Sequence, residues 1–397
     1  MALAAHLTGG STLDGVGGTN TAVLQQDASY DFSTTAVTNV DTITATGATG
    51  TKVYTFDAAD LNDVTTVTGT NGQAQTVTLN DTDDLSGIDF TDMETLTFGN
   101  FAVNIDSGNL TSFATAITGG GTGTLDLNED VDYDFSNTLL TGVGTITATG
   151  ATAGKTYTFD AADLNDVTTV TGTNGQAQTV TLNDADDLSG INFTDIETIA
   201  TGVGGGIGIT LTAAQADGIT LTATAASDTY TVTGSAGAQT ITGSAGNDSI
   251  EGGAGVDIMT GGAGTDIFVK HDIANDGADT FNTFTTAADG AGVGAGADQL
   301  QFSKADLEAQ AGFTAFTGGG GIDIGGGTNV EFVASTGGGL VASGAEAAFL
   351  FDTASGELTF DADGTDANAA VAIGTLYSDV ATTGIDDLAA GDFDFVA

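Results

Sequence analysis

From Gly234 to Val269 the chain reads GSAGAQTIT, GSAGNDSIE, GGAGVDIMT, GGAGTDIFV, four uninterrupted nonapeptides in one register. Each repeat sets glycines ahead of a polar sixth residue, and a large apolar residue follows two positions later. Glycine tolerates the positive φ that a tight turn requires, and apolar residues alternating with polar ones mark short strands with one inward face. Ile241, Ile250, Met259 and Phe268 are therefore expected to fill a thin core. A flexible glycine-rich linker would not keep its apolar residues in phase over four repeats.

The sixth position carries the chemistry: Gln239, then Asp248, Asp257 and Asp266. Calcium takes about six to eight oxygens from carboxylates and carbonyls together, which a glycine turn closed by an aspartate can offer. The block resembles the GGxGxDxUx repeats of the RTX calcium-binding proteins. That resemblance implies a parallel β-roll holding Ca2+. It implies as site residues Gly243, Gly246 and Asp248, then Gly252, Gly253, Gly255 and Asp257, then Gly261, Gly262, Gly264 and Asp266. An ion lying between one turn and the next but one would pair Asp248 with Asp266. Gln239 departs from the pattern, so the first repeat is expected to contribute less.

Charge points the same way. Fifty-three acidic residues face four lysines, Lys52, Lys155, Lys270 and Lys304, for a net charge of -49 over 397 residues. Such a surface repels phosphate backbones and anionic lipid, which argues against nucleic-acid and membrane partners. The self-repulsion calls for bound divalent ions or a salty medium, the second being the expectation for a halophile's cytosolic protein. Cysteine is absent, so neither disulfides nor thiolate metal sites exist, and proline is absent, so strand edges are not blunted that way. No segment approaches the ~20 apolar residues that span a bilayer. MALAAHLTGG lacks the basic start and long apolar run of a signal peptide.

A duplication fills the first half. KVYTFDAADLNDVTTVTGTNGQAQTVTLNDTDDLSGIDFTDMETL starts at Lys52 and a near copy at Lys155, an ungapped offset of 103 residues. A weaker echo in 40–47, 93–100, 143–150 and 196–203 suggests half-units of about fifty residues. Thr-Val-Thr, Thr-Ile-Thr and Thr-Leu-Thr triplets read as strands, and Asn71-Gly72 and Asn174-Gly175 as hairpin turns. The fold class is therefore all-β: a duplicated β-solenoid or β-sandwich half, then the roll, then a β-rich C-terminal region. The expected domains are residues 1–103, 104–206, a strand-rich connector at 207–233, the roll at 234–269 and the C-terminal region at 270–397. Short helices are expected at 57–62, 160–165 and 303–311, the last capped by Ser303.

Residues 279–290 and 298–307 resemble the strand-rich region that follows RTX repeats, and 349–376 with the ending GDFDFVA (391–397) resembles an uncleaved type I secretion signal. The resemblance implies an extracellular, cell-surface location. Other acidic clusters carry weaker readings. Asp361 and Asp363 fit part of an EF-hand loop, but Thr359 and Ala370 stand where acids belong. Asp81, Asp83, Asp84 and their copies Asp184, Asp186, Asp187 form a second candidate calcium cluster, with solvated loop charge as the simpler reading.

No enzyme is expected. With only His6 and His271 the HExxH zinc motif is impossible, and no G-x-S-x-G elbow occurs. Gly154-Lys155-Thr156 mimics the end of a phosphate loop without its spacing, and a two-carboxylate glycosidase has too many possible acid pairs to define one. A repetitive, threonine-rich, calcium-dependent chain resembles bacterial surface-layer and extracellular fibre proteins. Self-assembly into a sheet or filament, with cell-surface polysaccharide as a further partner, is the expected function. The alternative is a calcium-dependent adhesin or a carbohydrate- or ice-binding module, although coils of fifty residues would offer ice no regular array.

Overall fold

The structure is a computed structural model that describes residues 2–3, 12–286, 297–310, 331–335, 347–363, 370–377, 388 and 392–396. His6, Ala311, residues 287–290 of the segment at 279–290, and residues 364–369, 391 and 397 of the proposed secretion signal lie outside them. The chain forms two compact units, residues 1–183 with 190–196, and residues 184–189 with 197–397.

The first unit is a parallel β-solenoid. One sheet stacks Thr21–Leu24, Thr42–Ala45, Thr66–Thr68 and Asp89–Thr91. A second begins Tyr30–Asp31, Lys52–Phe56, Gln75–Leu79, Thr95–Thr97, Ala116–Leu127 and Leu139–Ala148, then ends with Thr169–Thr171 and Asn192–Thr194. A third set holds Tyr133–Asp134, Thr156–Phe159 and Thr179–Leu182. Alternation dictates the packing: Ile43, Val67 and Phe90 stack inward while Thr42 and Thr66 stay at the surface. Each fully buried side chain of this size stabilises the stack by roughly 1.5–3 kcal/mol.

The sandwich alternative is thus replaced by the solenoid, and two further expectations are corrected. Register partners lie 19 residues apart at Thr76↔Thr95 and 24 at Tyr30↔Tyr54, so a fifty-residue echo covers about two coils. Nor do the Asn-Gly pairs close hairpins. Thr66–Thr68 and Gln75–Leu79 belong to different sheets, each paired in parallel with other coils. Each pair does form a tight turn: Gln73 N donates to Thr70 O and Gln176 N to Thr173 O, both at 3.1 Å, with Gly72 and Gly175 at φ 76° and 80°. Such a turn serves a corner as well as a hairpin, and the buried rows on either side choose the corner.

The two copies share their details. Tyr30 pairs with Tyr54 and Tyr133 with Tyr157, while Phe32 stacks on Phe56 at 5.0 Å and Phe135 on Phe159 at 5.1 Å. Helices Ala58–Leu61 and Ala161–Leu164 occur where expected, and Ser107–Ser112 adds a helix that the sequence did not reveal.

The second unit contains the nonapeptides. One parallel run stacks Thr198–Thr201, Thr220–Thr222, Thr240–Thr242, Ile258–Thr260, Asp279–Asn282 and Val371–Leu376. The other stacks Asp186–Asp187, Gly208–Thr212, Thr229–Thr233, Ser249–Glu251, Ile267–Lys270, Gln299–Ser303 and Phe393–Val396. Successive nonapeptides alternate between these sheets, so two make one coil and register partners lie 18 residues apart, as at Thr240↔Ile258. Ile241, Ile250, Met259 and Phe268 are fully buried, as expected. The C-terminal region is β-rich, with Glu357–Asp361 antiparallel to both Ala348–Asp352 and Val371–Leu376. Helices Ala213–Ala216 and Lys304–Glu308 complete the unit, and Ser303 Oγ accepts from Asp306 N at 3.4 Å as a cap. Among the described residues no helix is long and apolar enough to cross a membrane.

Candidate calcium site

The glycine turns of alternate nonapeptides lie one above another. A Cβ on Gly264 would meet Gly246 O at 2.3 Å, and one on Gly255 would meet Gly237 O at 2.2 Å, so backbone approaches backbone across one coil step. Gly253, Gly262, Gly255 and Gly264 all have positive φ. Glycine at Gly255 and Gly264 lets the backbone of one turn approach a carbonyl of the turn one coil before it, and Asn247 Oδ1 accepts from Thr265 N at 2.9 Å across the same step.

The aspartates lock the stack. Asp266 Oδ1 accepts from Asp248 N at 2.9 Å, Asp248 Oδ1 from Tyr230 N at 2.8 Å, and Asp257 Oδ1 from Gln239 N at 2.7 Å. The structure therefore sets Asp248 one coil from Asp266, the pair that the resemblance implies. Asp248, Asp257 and Asp266 are all buried.

The second carboxylate oxygens separate the three. Asp248 Oδ2 accepts from Ser244 N at 2.6 Å and from Ser244 Oγ at 3.0 Å. Asp257 Oδ2 and Asp266 Oδ2 are buried with no hydrogen-bond partner, as is Gln239 Oε1. A Cβ on Gly252 would fall 2.3 Å from Asp257 Oδ2, and one on Gly261 2.3 Å from Asp266 Oδ2, so these glycines keep open the space beside the oxygens. A buried carboxylate oxygen without a partner is costly. Burial pushes the Asp248 and Asp257 carboxyls above their ordinary value and Asp266 up to about 7. A divalent cation beside the open oxygens would offset that penalty. Among the described residues no three acidic or histidine side chains converge on one point. A cation here would draw on carbonyls as well as carboxylates, the mixture that calcium accepts. The residues present fit calcium.

Two residues beyond the nonapeptides join the same rows. Asp279 Oδ1 accepts from Asp257 N at 2.9 Å and Asp298 Oδ1 from Asp266 N at 2.7 Å, with burial lifting each carboxyl to about 6. Asp279 was legible in Gly277-Ala278-Asp279-Thr280-Phe281 and Asp298 in Gly296-Ala297-Asp298-Gln299-Leu300, each of which keeps the second half of the repeat. In the other acidic clusters, aspartates accept backbone N–H groups, locally or across a coil. Asp81 Oδ1 accepts from Ala58 N at 2.7 Å, Asp84 from Ser86 N and Asp187 from Ser189 N, and Asp361 Oδ1 accepts from Asp363 N at 3.2 Å. Burial nevertheless raises Asp83 to about 6 and lifts its copy Asp186 above the ordinary value, and Asp83 Oδ2 and Asp186 Oδ2 are buried with no hydrogen-bond partner, so these two members are not simply solvated.

A family model, the RTX calcium-binding nonapeptide repeat in four copies, matches residues 233–268. The search of curated proteins and that of solved structures each gave no match. The chain carries RTX repeats, and the ion they bind is calcium.

Proposed function

We propose that this RTX calcium-binding protein is exported, folds on meeting calcium, and serves outside the cell as a structural module that assembles with copies of itself. Calcium is held by the turn carbonyls at Gly243, Gly246, Gly252, Gly253, Gly255, Gly261, Gly262 and Gly264 and by Asp248, Asp257 and Asp266, with the open oxygens of the last two as its anchors. The single observation that carries the assembly is the outward hydroxyl rows of the solenoid. Thr42-x-Thr44 aligns with Thr66-x-Thr68, Thr76-x-Thr78 with Thr95-x-Thr97, and Thr145-x-Thr147 with Thr169-x-Thr171. Rungs repeat at the ~4.8 Å spacing of strands. A surface that repeats so regularly suits a partner that repeats, and a proline-free chain with four lysines does little to prevent edge pairing. Its net charge disfavours nucleic acid and membrane, and the reading is non-enzymatic.

The same rows favour a second reading, a carbohydrate- or ice-binding module. The objection from fifty-residue coils falls away, because the coils are 19 to 24 residues long with Thr-x-Thr rungs in register. Electron microscopy of the purified chain with calcium and with a chelator separates the readings. Sheets or filaments that require calcium support assembly. Monodisperse particles that retain polysaccharide or bind ice support the second reading, and monodisperse particles that do neither refute both.

A further inference from the structure

Lys270 ends the last strand of the fourth nonapeptide and is buried to 1% exposure, in a chain with only four lysines. Its ammonium donates to Asp279 Oδ2 at 2.7 Å, to Gly277 O at 3.0 Å and to Asp276 O at 3.2 Å. An ammonium has three N–H donors, and here each has an acceptor. Those acceptors are one carboxylate oxygen and two turn carbonyls, the donor classes that calcium uses in the preceding turns.

The sequence around it explains the arrangement. Gly277-Ala278-Asp279-Thr280-Phe281 repeats Gly255-Val256-Asp257-Ile258-Met259, and the register confirms the equivalence, with Ile258 opposite Thr280 and Met259 opposite Phe281. Asp279 Oδ1 takes Asp257 N as Asp257 Oδ1 takes Gln239 N. Residues 274–282 therefore form a fifth nonapeptide in which Ala274 and Asn275 replace the glycine pair. The four residues inserted before it, Lys270 to Ile273, bring in the lysine.

We propose that the Lys270 ammonium is a built-in substitute for calcium in this fifth turn and closes the Asp257 row without an ion. The proposal rests on the reading of Asp257 and Asp266 as calcium ligands. A tethered cation is present at any calcium concentration, so the C-terminal end of that row is neutralised before the ion arrives. Removing it leaves Asp279 as an uncompensated buried charge, which destabilises strongly unless another cation enters.

Calcium bound per full-length chain, counted by equilibrium dialysis and metal analysis, tests this. Asp279→Asn keeps the oxygen that accepts from Asp257 N and is expected to leave the count unchanged, whereas Asp266→Asn lowers it. Lys270→Ala is expected to bind one more calcium ion than wild type, and its urea midpoint should fall when calcium is chelated. An Asp279→Asn count lower by one, or a folded Lys270→Ala with an unchanged count, would overturn the proposal. Should Lys270→Ala fail to fold, the Asp279→Asn count decides. A wild type that binds no calcium would overturn the ligand reading itself, and this proposal with it.

Discussion

Asp266→Asn should act with opposite signs in the presence and absence of calcium. The amide keeps an oxygen for Asp248 N, whose bond to Asp266 is 2.9 Å, and removes the charge whose other oxygen is unpartnered. Burial lifts this carboxyl from its ordinary 3.8 to about 7. At about 1.4 kcal/mol for each pH unit, ionising it inside the calcium-free fold costs on the order of 4 kcal/mol above pH 7. Because the folded pKa is raised, calcium-free wild type is least stable above pH 7 and gains stability as pH falls from about 7 toward 4. Asp279 and Asp298, lifted to about 6, push in the same direction. In chelator at pH 8 the variant should therefore be more stable than wild type, by up to ~4 kcal/mol. With calcium at a hundred times its dissociation constant, wild type gains about 2.7 kcal/mol per site and the variant loses that gain where Asp266 is a ligand. Urea titration followed by circular dichroism, with calcium and with chelator at pH 6 and pH 8, measures all four cases. An equal loss of stability with and without calcium would show that Asp266 is a structural hydrogen-bond acceptor and not a ligand.

Three other outcomes follow from the same geometry. Gly261→Ala puts a methyl 2.3 Å from Asp266 Oδ2, so calorimetric calcium affinity should fall at least tenfold, about 1.4 kcal/mol, while Gly190→Ala, with open space at its Cβ, should leave it unchanged. Phe56→Ala and Phe159→Ala each empty a fully buried, stacked position and should each destabilise by about 3–5 kcal/mol in urea titration; a large difference between them would contradict the equivalence of the copies. Magnesium at equal concentration should leave the urea midpoint where the chelator puts it, since it demands a tighter octahedral shell than these turns present.

Much of this was legible because local rules and tertiary demands agree. Thr-x-Thr alternation names strands and their inward residues, and the glycine–aspartate period names the roll. Coil length was not legible in the first unit, because corners absorb insertions: Thr76↔Thr95 and Tyr30↔Tyr54 differ by five residues without disturbing the buried rows. Fixed periods survive only where the turn itself is constrained, as it is by the nonapeptide's glycines. Pairing partners were likewise hidden at Asn71-Gly72, since a two-residue turn reports its own backbone and not the sheet that the next strand joins. Lys270 was missed because its role arises from an insertion and a contact with Asp279, and Asp298 because its half-repeat, Gly296-Ala297-Asp298-Gln299-Leu300, stands apart from the continuous block, 32 residues from Asp266.

One device recurs along the chain: a buried aspartate accepts a backbone N–H from the coil before it. In the first unit Asp60 takes Val37 N at 3.3 Å and Asp163 takes Leu140 N at 3.0 Å. In the second, Asp228 takes Ile207 N at 3.0 Å, and Asp248, Asp257, Asp266, Asp279 and Asp298 continue the pattern. What differs is the other oxygen. Asp60 and Asp163 receive Asp57 N and Asp160 N, Asp228 receives Thr201 Oγ, Asp248 receives Ser244 N, Asp279 receives Lys270 and Asp298 receives Thr285 N. Asp257 and Asp266 receive nothing, and theirs are the two turns that keep the full glycine pair, Gly252-Gly253 and Gly261-Gly262. A serine in the second glycine position, as at Ser244, supplies a hydroxyl that answers the carboxylate from within. On the calcium reading proposed above, an ion is needed where no donor answers the carboxylate, so Ser244→Gly, which removes the hydroxyl and adds no atom to the turn, should make the Asp248 turn more dependent on calcium. Losing the hydroxyl lowers stability most when calcium is absent, which widens the difference between the two states, and that difference in urea midpoint is the quantity to measure. A difference no larger than wild type's would mean that the hydroxyl at Ser244 is incidental and that glycine is kept in the other turns for its backbone alone.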